Sequence, residues 1–309
     1  MSSRDRSKGY RAPQANGSKD APARPGLLGG LFAPRAAAVT SMPGIGSSIA
    51  RGFTAVVTSP VLVVAIPLLV VVEWFVALAL GYQGPFTQFA GALAIPPFVT
   101  LYDNGLSTAL FGPGLGRELI LAFVLVRAIV LGLLTAAVVQ QLDQDRVDQT
   151  ALRRGLLVIP TAFAVGIISM LFVTAASLVA AFLVGLGSVV ALAGLVFAVY
   201  LFVFAPIMVA AERRSMPEAL SRSLRAGRMP GAGNLAFAAL YVLISFIFLQ
   251  LGLSLARLGV NPTFADWAFV LLANLVQVVF LASFAFRYLS VTDEVPAAPE
   301  PRQRGSRRR

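Results

Sequence analysis

The chain contains no histidine and no cysteine. A Ser–His dyad, a cysteine nucleophile, a disulfide, a zinc site built on His or Cys, and haem or iron–sulfur ligation by those residues are therefore excluded. Charge is scarce as well, at 13% of 309 residues against 57% hydrophobic, with a mean hydropathy of +0.80. Soluble domains carry roughly a quarter of their residues as charges, so the solvent for much of this chain is lipid.

The charges that exist sit in tails and short connections, and the apolar runs between them are long enough to span a bilayer at about 1.5 Å per residue. Six crossings are expected, at about 61–80, 118–140, 155–179, 187–211, 234–256 and 264–287. The third and fourth are divided only by Gly185, Gly187 and Ser188, which predicts a tight helical hairpin. The fold class expected is an all-α polytopic membrane protein with six transmembrane helices, interfacial helices and both termini cytoplasmic.

Basic residues test that count independently, because they concentrate on the cytoplasmic side of membrane helices. Six crossings with both ends inside place 22 of the 25 Lys and Arg in the cytoplasm, leaving Arg117 and Arg257 outside and Arg127 within a helix. Five or seven crossings would spoil the alternation. The expected location is the bacterial cytoplasmic membrane, multi-pass, N-in and C-in. The formal charge of +11 is then explained by orientation and anionic-lipid contact. Nucleic acid is disfavoured as a partner, since no aromatic residue is interleaved with the arginines of PRQRGSRRR.

Three segments follow: a basic tail over 1–44, a membrane domain over 45–292 and an Arg-rich tail over 293–309. Both tails are rich in Pro, Arg, Ala and Ser or Gly and lack a periodic apolar face, which predicts disorder. The amino terminus lacks the order of a signal peptide, so the first crossing is expected to serve as an uncleaved anchor. Before it, GIGSSIARGFTAVVTSP predicts a short helix lying on the inner leaflet with Ile45, Ile49, Phe53 and Val56 or Val57 toward lipid, ended by Pro60.

Two charges lie where charges are costly, Glu73 in VVVEWFVAL and Arg127 in AFVLVRAIVL. Both fall about 18 Å from the cytoplasmic ends of their helices. Equal depth on neighbouring antiparallel helices predicts an ion pair that sets their register. Small residues at four-residue spacing, in Ala162-x3-Gly166, Gly194-x3-Ala198 and Gly252-x3-Ala256, suit helix contact.

Asp143, Asp145 and Asp148 form the densest carboxylate group. Arg146 stands among them and the glycine and distal glutamate of a calcium loop are missing, so a solvated connecting helix is expected, with no metal and no cofactor. The apolar outer connection of about 81–117 predicts two short helices capping the outer face or dipping into its interface, one carrying Phe86, Phe89 and Leu93 before Pro96-Pro97 and one carrying Leu106, Leu110 and Phe111. Tyr102-Asp103 in that connection lacks the companion Gly-x-Gly-Asp of an intramembrane aspartyl protease. No catalytic constellation is recognisable, and a non-enzymatic protein is expected.

APIMVAAERRSMPEALSRSLRAGRMPG, at 205–231, passes from an apolar run into an arginine-dense helix and a glycine turn. Ser215 and Glu218 have the spacing of a capping box. Met216, Leu220 and Leu224 recur every four residues and can dip into the bilayer, while Arg222, Arg225 and Arg228 reach phosphates or water. With Arg213 and Arg214 they make a surface for lipid headgroups or for another membrane protein, including a second copy. Gly227, Pro230, Gly231 and Gly233 end the helix, and Asn234 is placed to cap the next crossing.

The order Ala205, Pro206, Glu212, a basic pair, then Glu218, Ala219, Leu220, Arg222, Ser223 and Gly227 is similar to a group of six-helix bacterial membrane proteins. That group includes the membrane domain of some glycerophosphoryl diester phosphodiesterases. The similarity covers roughly 190–290 and implies a six-helix membrane domain. Diesterase activity does not come with it, because the chain has no histidine and no attached phosphodiesterase domain; the aromatic residue often found after the Arg-Ser helix is also missing, with Met229-Pro230 in its place. Glu-Ala-Leu followed by Gly also resembles the coupling helix of ABC importer permeases, without the later Ile-x-Leu-Pro. The expected function is an accessory or scaffold protein engaging anionic lipid or a membrane partner, with a transport component as the alternative.

Overall fold

A computed structural model describes residues 42–79, 81–82, 84–95, 116–181, 187–229, 233–255 and 262–291. The tails and the Tyr102-Asp103, Leu106, Leu110 and Phe111 region lie outside these residues. The described chain is all-α: α1 Ile45–Val57, α2 Pro60–Ala79, a 3-10 helix Phe86–Gly91, α3 Gly116–Gln144, α4 Gln149–Ala181, α5 Gly187–Phe202, α6 Phe204–Glu212, α7 Met216–Gly227, α8 Asn234–Leu255 and α9 Phe264–Leu289. Six stretches are long and apolar enough to cross a membrane: Pro60–Ala79, Val124–Gln144, Gln149–Phe172, Leu192–Glu212, Asn234–Leu255 and Phe264–Leu289. The protein is a multi-pass membrane protein.

Side-chain exposure agrees with lipid as solvent. Val61, Val64, Leu68 and Phe75 on α2, Leu156 and Leu157 on α4, and Leu243, Ile247 and Leu251 on α8 all face outward. Polar side chains are instead gathered inside, including Glu73, Arg127, Asn274, Gln277 and Arg287. This inverts the arrangement of a soluble core and follows from the cost of a polar group in hydrocarbon.

Backbone proximity, where lipid supplies no hydrophobic drive between helices, comes from small residues. A Cβ on Gly132 would lie 2.9 Å from the Gly155 carbonyl oxygen, so α3 and α4 meet where only glycines fit. Gly194 approaches Phe172 and Ala176 in the same way, joining α5 to α4. Gly252 serves a different partner: its closest neighbour is the Thr87 carbonyl of the 3-10 helix.

The fourth crossing is built from α5 and α6, which separate at Val203. Pro206 explains the break, since it has no N–H to offer the Phe202 carbonyl four residues earlier. Gly185 lies outside the described residues, whereas Gly187 and Ser188 stand in the first turn of α5 rather than in a turn before it. At the start of α9, Thr263 and Asp266 form a reciprocal capping box.

On α1 the expected apolar face is divided: Phe53 and Val57 are exposed, Val56 is buried, and Ile45 and Ile49 pack partly against the core. The inward face of the helix is Ser48, Gly52, Ala55 and Val56. A Cβ on Gly52 would fall 2.7 Å from the Val279 carbonyl, and Ser48 accepts from Arg287 at 3.5 Å. α1 therefore runs antiparallel along the end of α9 on a small-residue seam. Periodicity marks the large apolar side chains of α1, whereas its contact with α9 is made by the small ones.

Candidate functional site

Two polar assemblies stand out among the described residues, one at the end of the bundle that gathers most of their arginines, here the basic end, and one within its interior. The basic end is organised by the α6–α7 corner. α6 stops at Glu212, and Arg213 turns the chain in the left-handed region at φ 55°. Ser215 is the N-cap residue of α7 in extended backbone, as its position predicts, but its side chain makes no capping bond. Glu218 does not close the box either, because its carboxylate accepts from Arg214 four residues earlier. Arginine wins here because a charge-assisted contact is stronger than a neutral capping bond.

Glu212 is the acceptor at the centre. Arg214 donates to it from the turn, the Tyr288 hydroxyl donates from α9, and Arg222 reaches it from α7 at 3.4 Å. The Glu212 carboxylate foremost, with Glu218, raises the affinity of Arg214 for its proton against the opposing effect of burial. Arg222 is buried in this contact, which corrects its assignment to headgroups or water. Arg213 and Arg228 are exposed and Arg214 and Arg225 half-buried.

The inward face of α7 is Ala219, Arg222, Ser223, Ala226 and Gly227. Ser223 donates to the Leu201 carbonyl at 2.7 Å, and a Cβ on Gly227 would sit 2.4 Å from the Tyr200 carbonyl. Met216 is exposed and Leu220 and Leu224 half-buried, so the larger apolar side chains are left toward the surroundings. Four residues of the 205–227 stretch thus have a place in one corner: Pro206 breaks the crossing, Glu212 gathers the donors, and Ser223 and Gly227 seat α7 on α5.

Asn234 serves the end of α7 rather than the start of its own helix. Its amide donates to the Ala226 and Gly227 carbonyls at 3.1 and 3.4 Å, and its oxygen accepts from Arg287 at 3.0 Å. Arg287 also donates to the Pro43 carbonyl and lies 5.2 Å from the Phe237 ring centre. One fully buried guanidinium therefore ties α1, α8 and α9 together, with α7 joined through Asn234.

In the interior, Arg127 Nε lies 2.5 Å from Glu73 Oε1, and both side chains are fully buried. The structure brings together the two membrane charges that the sequence singles out. Beside them the chain does something that hydropathy does not disclose. Residues 86–95 are all buried and run down into the bundle between α2, α8 and α9. Phe86 packs on Trp267 with ring centres 4.2 Å apart. Further on, the Leu93 amide donates to Asn274 at 2.8 Å and the Asn274 amide donates to the Phe89 carbonyl at 2.7 Å. The Ile95 amide then reaches the Tyr241 hydroxyl at 2.8 Å.

Asn274 stands ten residues into α9, about 15 Å along its axis. Residues 86–95 are thus re-entrant, running deeper than the expected short helices that cap the outer face or dip into its interface; the second of those helices, with Leu106, Leu110 and Phe111, lies outside the described residues. Non-helical backbone at that depth requires protein partners for its polar groups. Asn274 and Tyr241 supply them, and the Thr87 hydroxyl ties the segment to α8 by donating to the Gly252 carbonyl at 2.8 Å. Gln277 and Ser245 pair behind them at about 3.0 Å. At the mouth, Tyr82 donates to Gln88 at 2.9 Å; burial pushes its phenol above the ordinary range, opposed by the nearby Arg127 charge.

The acidic connection is exposed, but it is a turn rather than the connecting helix expected: α3 ends at Gln144, Asp145 turns the chain at φ 52° and α4 begins at Gln149. Among the described residues no group of three His, Cys, Asp or Glu is placed to hold a metal. Asp148 instead opens α4, accepting from the Thr150 amide at 2.7 Å and from Gln140 at 2.8 Å. Those contacts lower its carboxyl to about 2, with the Gln140 bond the largest cause.

No family model matches this chain, and no curated protein or solved structure matches it.

Proposed function

We propose that this protein is a non-enzymatic accessory or scaffold of the bacterial cytoplasmic membrane, with its basic end and both termini in the cytoplasm, where it engages anionic lipid headgroups. The observation that carries the reading is that Arg51, Arg146, Arg153, Arg213 and Arg228 all keep exposed side chains, with Arg213 and Arg228 flanking α7. Arginines within a Debye length of an anionic leaflet each gain about 1 kcal/mol, and their side chains retain that gain only if they are not spent on internal partners. The basic residues also orient the chain N-in and C-in. The likeness of the 205–227 motif to six-helix bacterial membrane proteins accords with this class.

Native mass spectrometry of the gently extracted protein tests it. Wild type is expected to carry anionic lipid or a membrane partner, and Arg213→Gln/Arg228→Gln to retain less. Equal retention, or a co-purifying ATPase, would remove the accessory reading. A transport component is the second reading, favoured by the re-entrant 86–95 segment beside a buried ion pair, the kind of discontinuous element that transporters place near the midplane. A small solute that stays bound irrespective of the surface arginines would select it.

A further inference from the structure

The α6–α7 corner concentrates more donors on one carboxylate than a simple helix connection needs. Glu212 receives Arg214 from the turn, Arg222 from α7 and Tyr288 from α9. Between residues 212 and 228 the chain holds five arginines and two glutamates. Glu212 is the last residue of an apolar crossing, which places the convergence at headgroup depth. Its own side chain is 15% exposed, while Arg222 is held at 8%.

We infer that Arg214, Arg222 and Tyr288 form a binding site for the phosphate of an anionic lipid headgroup, closed in this structure by the Glu212 carboxylate. This rests on the lipid-engaging reading above and names the ligand group and the residues that hold it. Two guanidiniums and a phenol are the donors that a phosphate oxygen set accepts, and arginine binds phosphate and carboxylate with the same planar fork. Glu212 is an internal stand-in of the same charge sign. Its displacement is feasible because it ends a helix at a left-handed residue, and because α7 is seated mainly through Ala219, Ser223, Ala226 and Gly227, with Leu220 only partly buried against the core. When phosphate takes the donors, α7 is released from Glu212 and Met216, Leu220 and Leu224 are free to settle into the leaflet.

The test uses the full chain in detergent, titrated with phosphatidylglycerol or phosphatidylcholine and read by native mass spectrometry, with thermal unfolding of every variant. Glu212→Gln opens the site. Glu218→Gln makes the same charge change at a carboxylate that pairs with Arg214 from the other side of the turn. Glu212→Gln is expected to hold phosphatidylglycerol about tenfold more tightly than wild type, the worth of one charge-assisted hydrogen bond. Glu218→Gln should stay near wild type, phosphatidylcholine should discriminate none of them, and Tyr288→Phe added to Glu212→Gln should erase most of the gain. Equal gains in the two glutamine variants, or indifference to Tyr288→Phe, would overturn the site. Inorganic phosphate bound by Glu212→Gln without any gain for phosphatidylglycerol would overturn the lipid as its source. Should Glu212→Gln not fold, Glu212→Asp, which withdraws the carboxylate while keeping its charge, carries the same expectation. If Arg213→Gln/Arg228→Gln loses lipid while Glu212→Gln gains none, the accessory reading stands and this site falls; if neither changes, both fall.

Discussion

Glu73 on α2 and Arg127 on α3 meet at 2.5 Å with no exposure of either side chain. The two residues are 54 positions apart in sequence and come together because antiparallel helices place them at the same depth. A buried pair contributes little net stability compared with an apolar replacement, but losing one partner strands the other charge.

Glu73→Arg and Arg127→Glu should therefore each destabilise the folded protein by about 3–5 kcal/mol, and the double exchange should recover much of it. Folded yield in membranes and thermal unfolding in detergent read the effect. A double variant as poor as either single would show that the surroundings, not the pairing, set the cost.

Asn274 satisfies two backbone groups of the re-entrant segment, the Leu93 amide and the Phe89 carbonyl. Asn274→Leu keeps the volume but leaves both groups buried without that partner, at about 1–3 kcal/mol each. Proteolysis from the outer side should then cut within or beside 86–95 faster than in wild type. Unchanged cutting with an unchanged unfolding temperature would mean that the segment is held by its apolar contacts alone.

Asp148 carries a pH dependence of defined sign. Its folded carboxyl is lowered from 3.8 to about 2 by Gln140 and Thr150, so its contribution is complete above pH 4 and is lost as pH falls toward 2. Amide exchange at the start of α4 should accelerate over that window in wild type, and Asp148→Asn should show no such step. A step that persists in the variant would assign the titration to another group.

How far the architecture is legible in the sequence depends on the range of the interactions involved. Crossing positions follow from hydropathy, because a lipid-spanning helix satisfies its backbone within itself. Glu73 and Arg127 are legible for the same reason: each is the lone charge of a known span, and depth can be counted. Asn274 and Tyr241 were not legible as site residues. Their partners, Leu93 and Ile95, lie 181 and 146 positions away, and nothing local shows that an apolar outer connection folds inward. The available signal was the spacing of Asn274 with Gln277 and of Tyr241 with Ser245, which puts uncharged polar groups on one face of each crossing.

The arginines of α7 show the same division. Charge and periodicity predict an interfacial helix, but which arginines face outward depends on where Glu212 and Tyr288 are brought by α6 and α9. Ser215 and Glu218 spell a capping box that Arg214 pre-empts, whereas Thr263 and Asp266 make one. By itself the amino-acid sequence determined the solvent, the number of crossings, the excluded chemistries and the pairing of the two isolated charges, since each follows from composition and depth along one axis. The tertiary structure decided the re-entrant path, the small-residue face of α1 and the convergence on Glu212, since these depend on lateral packing between helices, which no single helix encodes.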